Sequence, residues 1–360
     1  MEIVSKPTLL YFVIGYIVAI VLMGIYYSKK IESSEDFILA GRTLGPIILM
    51  GTMLATWCGS GTVTGGYNSL AYSFGLGPAM FFGLPSLIGV IFLFTIAEKI
   101  RGLNKHTIPE ILEINYGTYA RGLATIIVFL SYVGIIAYQY QGLGFILNVT
   151  TGLPVDIGTI VGAVIMIVLA TMGGLMSVAP TDALSALIIV TGLILGVPAM
   201  FSVAGGWSNI VAKLPPDHLK LTGNLTGIQM LGYLIPTLSL ILADQNMYQR
   251  ITAAKGGKEA KIGVAGWLLG MIIINFTIPF ISLTARALFP DIQAGMALIA
   301  STLVMPTIVG GLLIAAIAAF IITTGDSFLL SAATNITFDF YGKYINPNLT
   351  DAQKLIITKW

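Results

Sequence analysis

Hydrophobic residues in this chain gather into long runs separated by short polar stretches. Runs near residues 8–28, 45–72, 77–98, 120–149, 155–174, 181–205, 228–248, 262–289 and 305–340 each approach or exceed the roughly 20 apolar residues that one bilayer crossing needs. The pattern predicts an all-α membrane protein of about nine transmembrane helices. Two connecting stretches carry patterns of their own. Thr107 to Tyr116 opens with a helix-start proline and early acids, which predicts a short amphipathic helix at the inner surface. Gly205 to Gly227, with Pro215-Pro216, reads as an outer loop: a solvated spacer, or a cover over an entrance. The apolar run near the N-terminus is too long for a signal-peptide core and has no basic flank, so it reads as a first span.

Composition narrows the class. Of 360 residues 56% are hydrophobic and only 9% charged, against about 25% charged in an ordinary soluble domain. A net charge of +2 with no basic stripe excludes nucleic acid as a partner; the lipid bilayer and a small solute remain, and no protein partner is expected. The one cysteine, Cys58, excludes an internal disulfide or a thiolate cluster, and His106 and His218 fall in loops, so no resident cofactor is expected. Carboxylates scattered over separate helices argue against an enzyme. Placing the N-terminus outside puts 14 of the 18 Lys and Arg residues, Arg121 and Arg250 among them, on the cytoplasmic side of a plasma membrane.

Chemistry concentrates in two spans. The second reads Gly51 to Gly66, with glycines at 59, 61, 65 and 66; each weakens a helix by roughly 1 kcal/mol relative to Ala. A membrane helix breaks only where the freed backbone groups find other partners, such as a cavity or an ion. The polar run Thr62, Thr64, Tyr67, Asn68 and Ser69 favours a cavity over simple close packing. The last span, Ala315 to Ser327, carries the adjacent hydroxyls Thr323 and Thr324 and the carboxylates' sole representative there, Asp326. The Phe320 carbonyl and both hydroxyls can converge, and carbonyls from a break around Ala55 and Cys58 would complete about five neutral oxygens, a set suited to a monovalent cation. Asp182, at the cytoplasmic end of the sixth span, reads as a guide or gate for the ion, or as a carboxylate facing a helix dipole. Asp244, deeper in the seventh, reads as a partner for a cationic solute or for an inner-loop Lys or Arg. In the fourth span Tyr138, Gln139, Tyr140 and Gln141 suit a polar solute. Helical spacing turns only two of these four inward, leaving the pair open, with Tyr138 and Gln141 as the candidate contacts.

Together these residues resemble the sodium:solute symporter family, which has the leucine-transporter-like inverted-repeat fold. The likeness rests on Phe37 to Arg42, Ala55 to Gly61, Gly173 through Asp182, Gln249-Arg250 with Lys258 to Lys261, and Thr323-Thr324 through Tyr341; Ser185 stands where the family usually has Gln. It implies sodium-coupled uptake of a small polar solute (an amino acid, organic acid or amine) by alternating access. The implied sodium site comprises the carbonyls of Ala55, Cys58 and Phe320 and the hydroxyls of Thr323 and Thr324. It implies one transmembrane domain over 1–360: an extra helix at 8–28, a first five-helix repeat at 45–205, and a second repeat at 228–360 that is C-terminally incomplete. A transport-inactive fragment or a transporter-like sensor of the same fold is the alternative. Ala55-Thr56-Trp57 is most similar to the choline-transporter branch, where aromatic residues cage the substrate. Trp57 matches one cage position, whereas Pro85, Ile135 and Asp244 occupy the others. Gly59 and Gly61 join Trp57 as candidate solute contacts.

Overall fold

The computed structural model describes residues 5–359, and nearly all of them are helical. The helices are α1 (Leu10–Ser28), α2 (Ser34–Leu39), α3 (Pro46–Trp57), α4 (Gly66–Phe74), α5 (Leu76–Gly102), α6 (Ile108–Thr151) and α7 (Val155–Val203). After them come α8 (Trp207–Lys213), α9 (Gly227–Ala243), α10 (Gln245–Ala253), α11 (Gly257–Leu288), α12 (Ala297–Val304), α13 (Thr307–Thr334) and α14 (Asp351–Lys359). Among the described residues seven helices are long and apolar enough to cross a membrane, and eight if the bent pair α3 and α4 is one span. α7 is two helices joined at Gly174, where φ is +49°; a side chain there would meet the Phe37 carbonyl at 2.2 Å, so only glycine allows the close turn.

Local sequence accounts for the breaks. Pro46 opens α3, and its end comes at Cys58, whose backbone is extended. A wide turn over Gly61–Gly65 then leads into α4, and the two halves meet at 59°. α6 starts at the Thr107 cap and bends at Gly117 (φ +78°), which makes 108–116 a separate short helix as its proline and acids predict. The seventh span departs from the expected 228–248: α9 ends at Ala243, Asp244 is extended, and its side chain caps α10 by accepting from the Asn246 N–H at 3.0 Å. α13 runs into a widened turn over Asn335–Ile345, carrying the last span past the expected 340.

α13 lies at the centre. Of its most apolar window 83% is buried, against 22% for α6, and it packs on α1, α3, α6 and α7. Thr323 and Thr324 therefore sit where lipid cannot reach. The 205–227 connection is anchored to the bundle through His218. His218 is buried, one ring nitrogen lies 3.0 Å from the Tyr72 carbonyl, and its own carbonyl accepts from Leu76 N–H at 3.0 Å. Burial lowers the His218 pKa from its ordinary value, which favours the neutral ring against the α4–α5 turn.

Candidate sodium cluster and solute cavity

The interruption after Trp57 frees backbone oxygens, and α13 meets them. Thr323 Oγ1 lies 2.9 Å from the Ala55 carbonyl oxygen, 2.7 Å from that of Ala319 and 3.4 Å from that of Phe320. Thr324 Oγ1 lies 3.3 Å from the Ala55 oxygen and 3.0 Å from the Thr56 oxygen. Each hydroxyl owns one proton, so two protons face four carbonyls. The Ala319 contact is the ordinary bond of a helical threonine to the turn before it. The reach across to Ala55 and Thr56 is not, and it leaves more lone pairs than donors. No threonine hydroxyl bonds the Cys58 carbonyl; Cys58 closes the α3 end, with its N–H 3.4 Å from the Leu54 oxygen and its thiol 3.5 Å from Met271 Sδ.

Beside this cluster lies a cavity of about 370 Å³, walled by Trp57, Gly59, Gly61, Thr62, Tyr67, Phe82, Ser86, Ser131, Ile135, Tyr138, Gln139, Thr237, Thr324 and Phe328 among others. Thr324 belongs to both. Among the described residues no Asp, Glu, Lys, Arg or His lines the cavity. Its hydrogen-bonding groups are neutral, and Trp57, Tyr67, Phe82, Tyr138 and Phe328 supply aromatic wall, with Trp57 edge-on to Trp267 at 6.2 Å. Trp57, Gly59, Gly61 and Tyr138 thus stand together. Gln141 does not join them: it is exposed and faces a separate hollow with Val155, Asp156 and Thr159. The α6 face toward the cavity runs Ile135, Tyr138 and Gln139, and Gln141 lies about half a turn beyond Gln139.

Asp244 also lies apart from the cavity. It is buried, accepts from Tyr132 Oη at 2.8 Å and from the Asn246 side chain at 3.1 Å, and forms no pair with an inner-loop Lys or Arg. The cation that does become buried is Arg250, counted above as a cytoplasmic charge. Its Nη2 is 3.2 Å from Asp182 Oδ2, with both side chains 1% exposed. Thr52 and Thr56 donate to the same carboxylate at 2.6 and 3.3 Å, while Arg250 also donates to Thr52 at 2.9 Å and to Ser327 at 2.5 Å. Asp182 is therefore an internal counter-charge rather than a carboxylate left to a helix dipole. Thr56 joins two networks, its carbonyl meeting Thr324 and its hydroxyl meeting Asp182. Asp326 is buried on α13, and its Oδ1 has no hydrogen-bond partner among the described residues.

A second ionic group closes one end of the bundle. Arg121 reaches Glu113 at 2.6 Å, Asp339 at 2.9 Å and Glu110 at 3.5 Å, and Lys343 reaches Glu113 at 2.7 Å. On the short helix before Gly117, hydrogen bonds from Lys343 and Arg121 hold Glu113 down at about 2. Burial pushes Glu110 upward, but bonds from His106 and the charge of Arg121 prevail and hold it at about 2 as well.

An interrupted span, an oxygen cluster on a central helix and an adjoining solute-sized cavity are the parts of a cation-coupled carrier. Residues 37–359 match the profile of the sodium:solute symporter family, and the chain belongs to that family. It is 27% identical to a sodium/glucose cotransporter of Vibrio parahaemolyticus, over 93% of this chain and 69% of that protein. It is 23% identical to the sodium/pantothenate symporter of Escherichia coli K12, over 91% of this chain and 71% of that one. With the human high affinity choline transporter 1 identity is 25%, over 95% of this chain and 63% of that protein. The fold resembles that of a sodium-coupled sialic acid symporter solved in a substrate-bound, outward-open state: TM-score 0.83, 22% identity, covering 98% of this chain and 77% of that one. The chain is thus a multi-pass sodium-coupled membrane transporter with the leucine-transporter-like inverted-repeat fold.

The sequence reading assigns Arg250 and Thr56 no site role, and among the four fourth-span candidates it favours Gln141 over Gln139. Arg250 looks like one more inner basic residue, Thr56 contributes a backbone atom that no side-chain pattern reveals, and Gln139 is separated from Gln141 only by helical phase.

Proposed function

We propose that the chain resides in the cell membrane with its N-terminus outside and uses the inward sodium gradient to import a small polar organic solute by alternating access. Transport rather than catalysis is its activity, and sodium is its coupling ion. The carrying observation is that Thr323 and Thr324 meet the Ala55 and Thr56 carbonyls beside a cavity that Thr324 also lines. In this reading sodium takes the Ala55 and Phe320 carbonyls and both hydroxyls; Cys58 and Thr56 supply further carbonyls next to the break. Asp182 and Asp326 lie on the ion's path. Asp182 is held closed by Arg250, and α13 carries Asp326.

The solute rests against Trp57, Gly59, Gly61 and Tyr138, with the Gln139 carboxamide nearby. The relatives' named solutes include a sugar, a vitamin acid and a quaternary amine, so kinship alone does not choose among classes. The wholly uncharged lining supports a solute bound through neutral hydrogen bonds and apolar contact. A caged quaternary amine fits less well, because Ile135 takes a wall position where an aromatic ring would be needed. One sodium ion moving down 100 mV releases about 2.3 kcal/mol, enough for roughly fifty-fold accumulation.

Proteoliposomes given an inward sodium gradient and a panel of labelled sugars, amino acids, carboxylates and amines test the reading. At least one solute accumulates only with sodium. In Thr324→Ala the sodium concentration for half-maximal uptake rises tenfold or more, with thermal stability little changed. Sodium activation identical to wild type in that variant rejects the ion assignment.

A further inference from the structure

In an unbroken helix the Ser60 N–H would bond to the Thr56 carbonyl four residues earlier. Here it does not. It donates instead to Gln139 Oε1 at 2.7 Å. The Thr56 carbonyl released in this way is the oxygen lying 3.0 Å from Thr324 Oγ1.

Gln139 comes from α6, in the fourth span, and its side chain is 2% exposed. The neighbouring α6 residues grip the same turn. Tyr138 Oη is 3.2 Å from Thr64 Oγ1, and Thr64 Oγ1 is 3.0 Å from Ser60 Oγ. One turn along, Gly142 leaves room for Ser60, since a side chain there would meet Ser60 Oγ at 2.3 Å. A side chain at Gly59 would meet Gln139 Oε1 and Thr324 Oγ1, both at 2.7 Å, so the peptide between the two groups has no slack.

We propose that Gln139 is a positioning residue for sodium: by taking the Ser60 amide it keeps the second span open and holds the Thr56 carbonyl free for the ion. Gln139 need not touch the ion. Its amide oxygen removes the one donor that would otherwise reclaim the Thr56 oxygen. Replacing it with an apolar residue of similar size returns the Ser60 N–H to Thr56 and subtracts a ligand. Replacing it with Glu keeps an acceptor at that amide and keeps the ligand. The inference rests on the sodium cluster proposed above.

The test is direct binding of ²²Na⁺ to the purified chain in detergent, with melting temperature measured alongside. The variants are Gln139→Leu, Gln139→Glu, Gly142→Ala and Thr324→Ala. Expected is a dissociation constant at least tenfold weaker in Gln139→Leu, several-fold weaker in Gly142→Ala, and no weaker than wild type in Gln139→Glu. A purely structural role would lower the melting temperature in Gln139→Leu without separating Leu from Glu in sodium affinity. Sodium affinity within twofold of wild type in folded Gln139→Leu or Gly142→Ala, while Thr324→Ala is weakened, overturns this proposal alone. Unchanged affinity in Thr324→Ala overturns the cluster itself, and this inference with it.

Discussion

The molecule interrupts two of its spans, and the interruptions are built from opposite chemistry. Between α3 and α4 the break is made of small residues, Gly59, Ser60 and Gly61, and its freed groups go to other helices: Ser60 N–H to α6, and the Ala55 and Thr56 oxygens toward α13. Between α9 and α10 the break is a single extended residue, Asp244, whose carboxylate caps the helix that follows and takes the Tyr132 hydroxyl. One break borrows its partners from outside; the other brings its own. An ion can compete for borrowed partners, whereas Asp244 Oδ1 is already taken by the Asn246 N–H, the Asn246 side chain and the Tyr132 hydroxyl. Discontinuity in a membrane helix is therefore not by itself a binding site. What matters is whether the local sequence consumes the freed groups.

Three perturbations sharpen the contrast. The largest effect is expected from Gly59→Ala. Its new methyl group would lie 2.7 Å from Gln139 and Thr324, so sodium binding measured with ²²Na⁺ falls at least thirtyfold; binding within threefold of wild type would show that the first break is roomier than drawn. Next comes Asp244→Ala, which strips a cap and leaves the Tyr132 hydroxyl without its acceptor. It costs about 1–3 kcal/mol of stability, read by thermal or denaturant unfolding in detergent, while sodium affinity stays within twofold. A large loss of sodium affinity there would erase the distinction between the breaks. The smallest effect is one of pH, at the surface far from both. Glu110 and Glu113 are held at about 2 in the folded chain against an ordinary 4.5. A carboxylate depressed on folding stabilises above its unfolded pKa and loses that contribution as pH falls toward the folded one. Melting temperature is thus insensitive to these groups above about pH 5 and declines below 4.5, less steeply in Glu113→Gln. Equal slopes in wild type and variant would show that Glu113 is solvated rather than paired.

Much of this was legible beforehand, for identifiable reasons. The bilayer forces long apolar runs, so the helical membrane class could be read from hydropathy, though about nine spans were expected against seven or eight among the described residues, and four glycines within eight residues marked the first break. The adjacent hydroxyls of Thr323 and Thr324 stood out in an otherwise apolar run. The second break was harder to see, because Asp244, Gln245 and Asn246 look like the polar end of a span and not its middle. Arg250 was misjudged because loop-charge counting presumes that a basic residue near a span end is solvated. The Asp182 carboxylate that draws it inward lies 68 positions away in sequence. Gln139 and Gln141 share a residue type and a helix. Only the rotation of α6, fixed by its packing, puts one beside the Ser60 amide and the other in the open.

Cys58 has a practical consequence. The chain's sole thiol is fully buried at the end of α3, with Met271 of α11 against its sulfur. Whatever motion parts those two helices uncovers one alkylatable atom per molecule, in the native sequence and beside the first break. Maleimide labelling of the unmodified protein therefore clocks that opening directly, with no reporter to engineer and no background cysteines to remove.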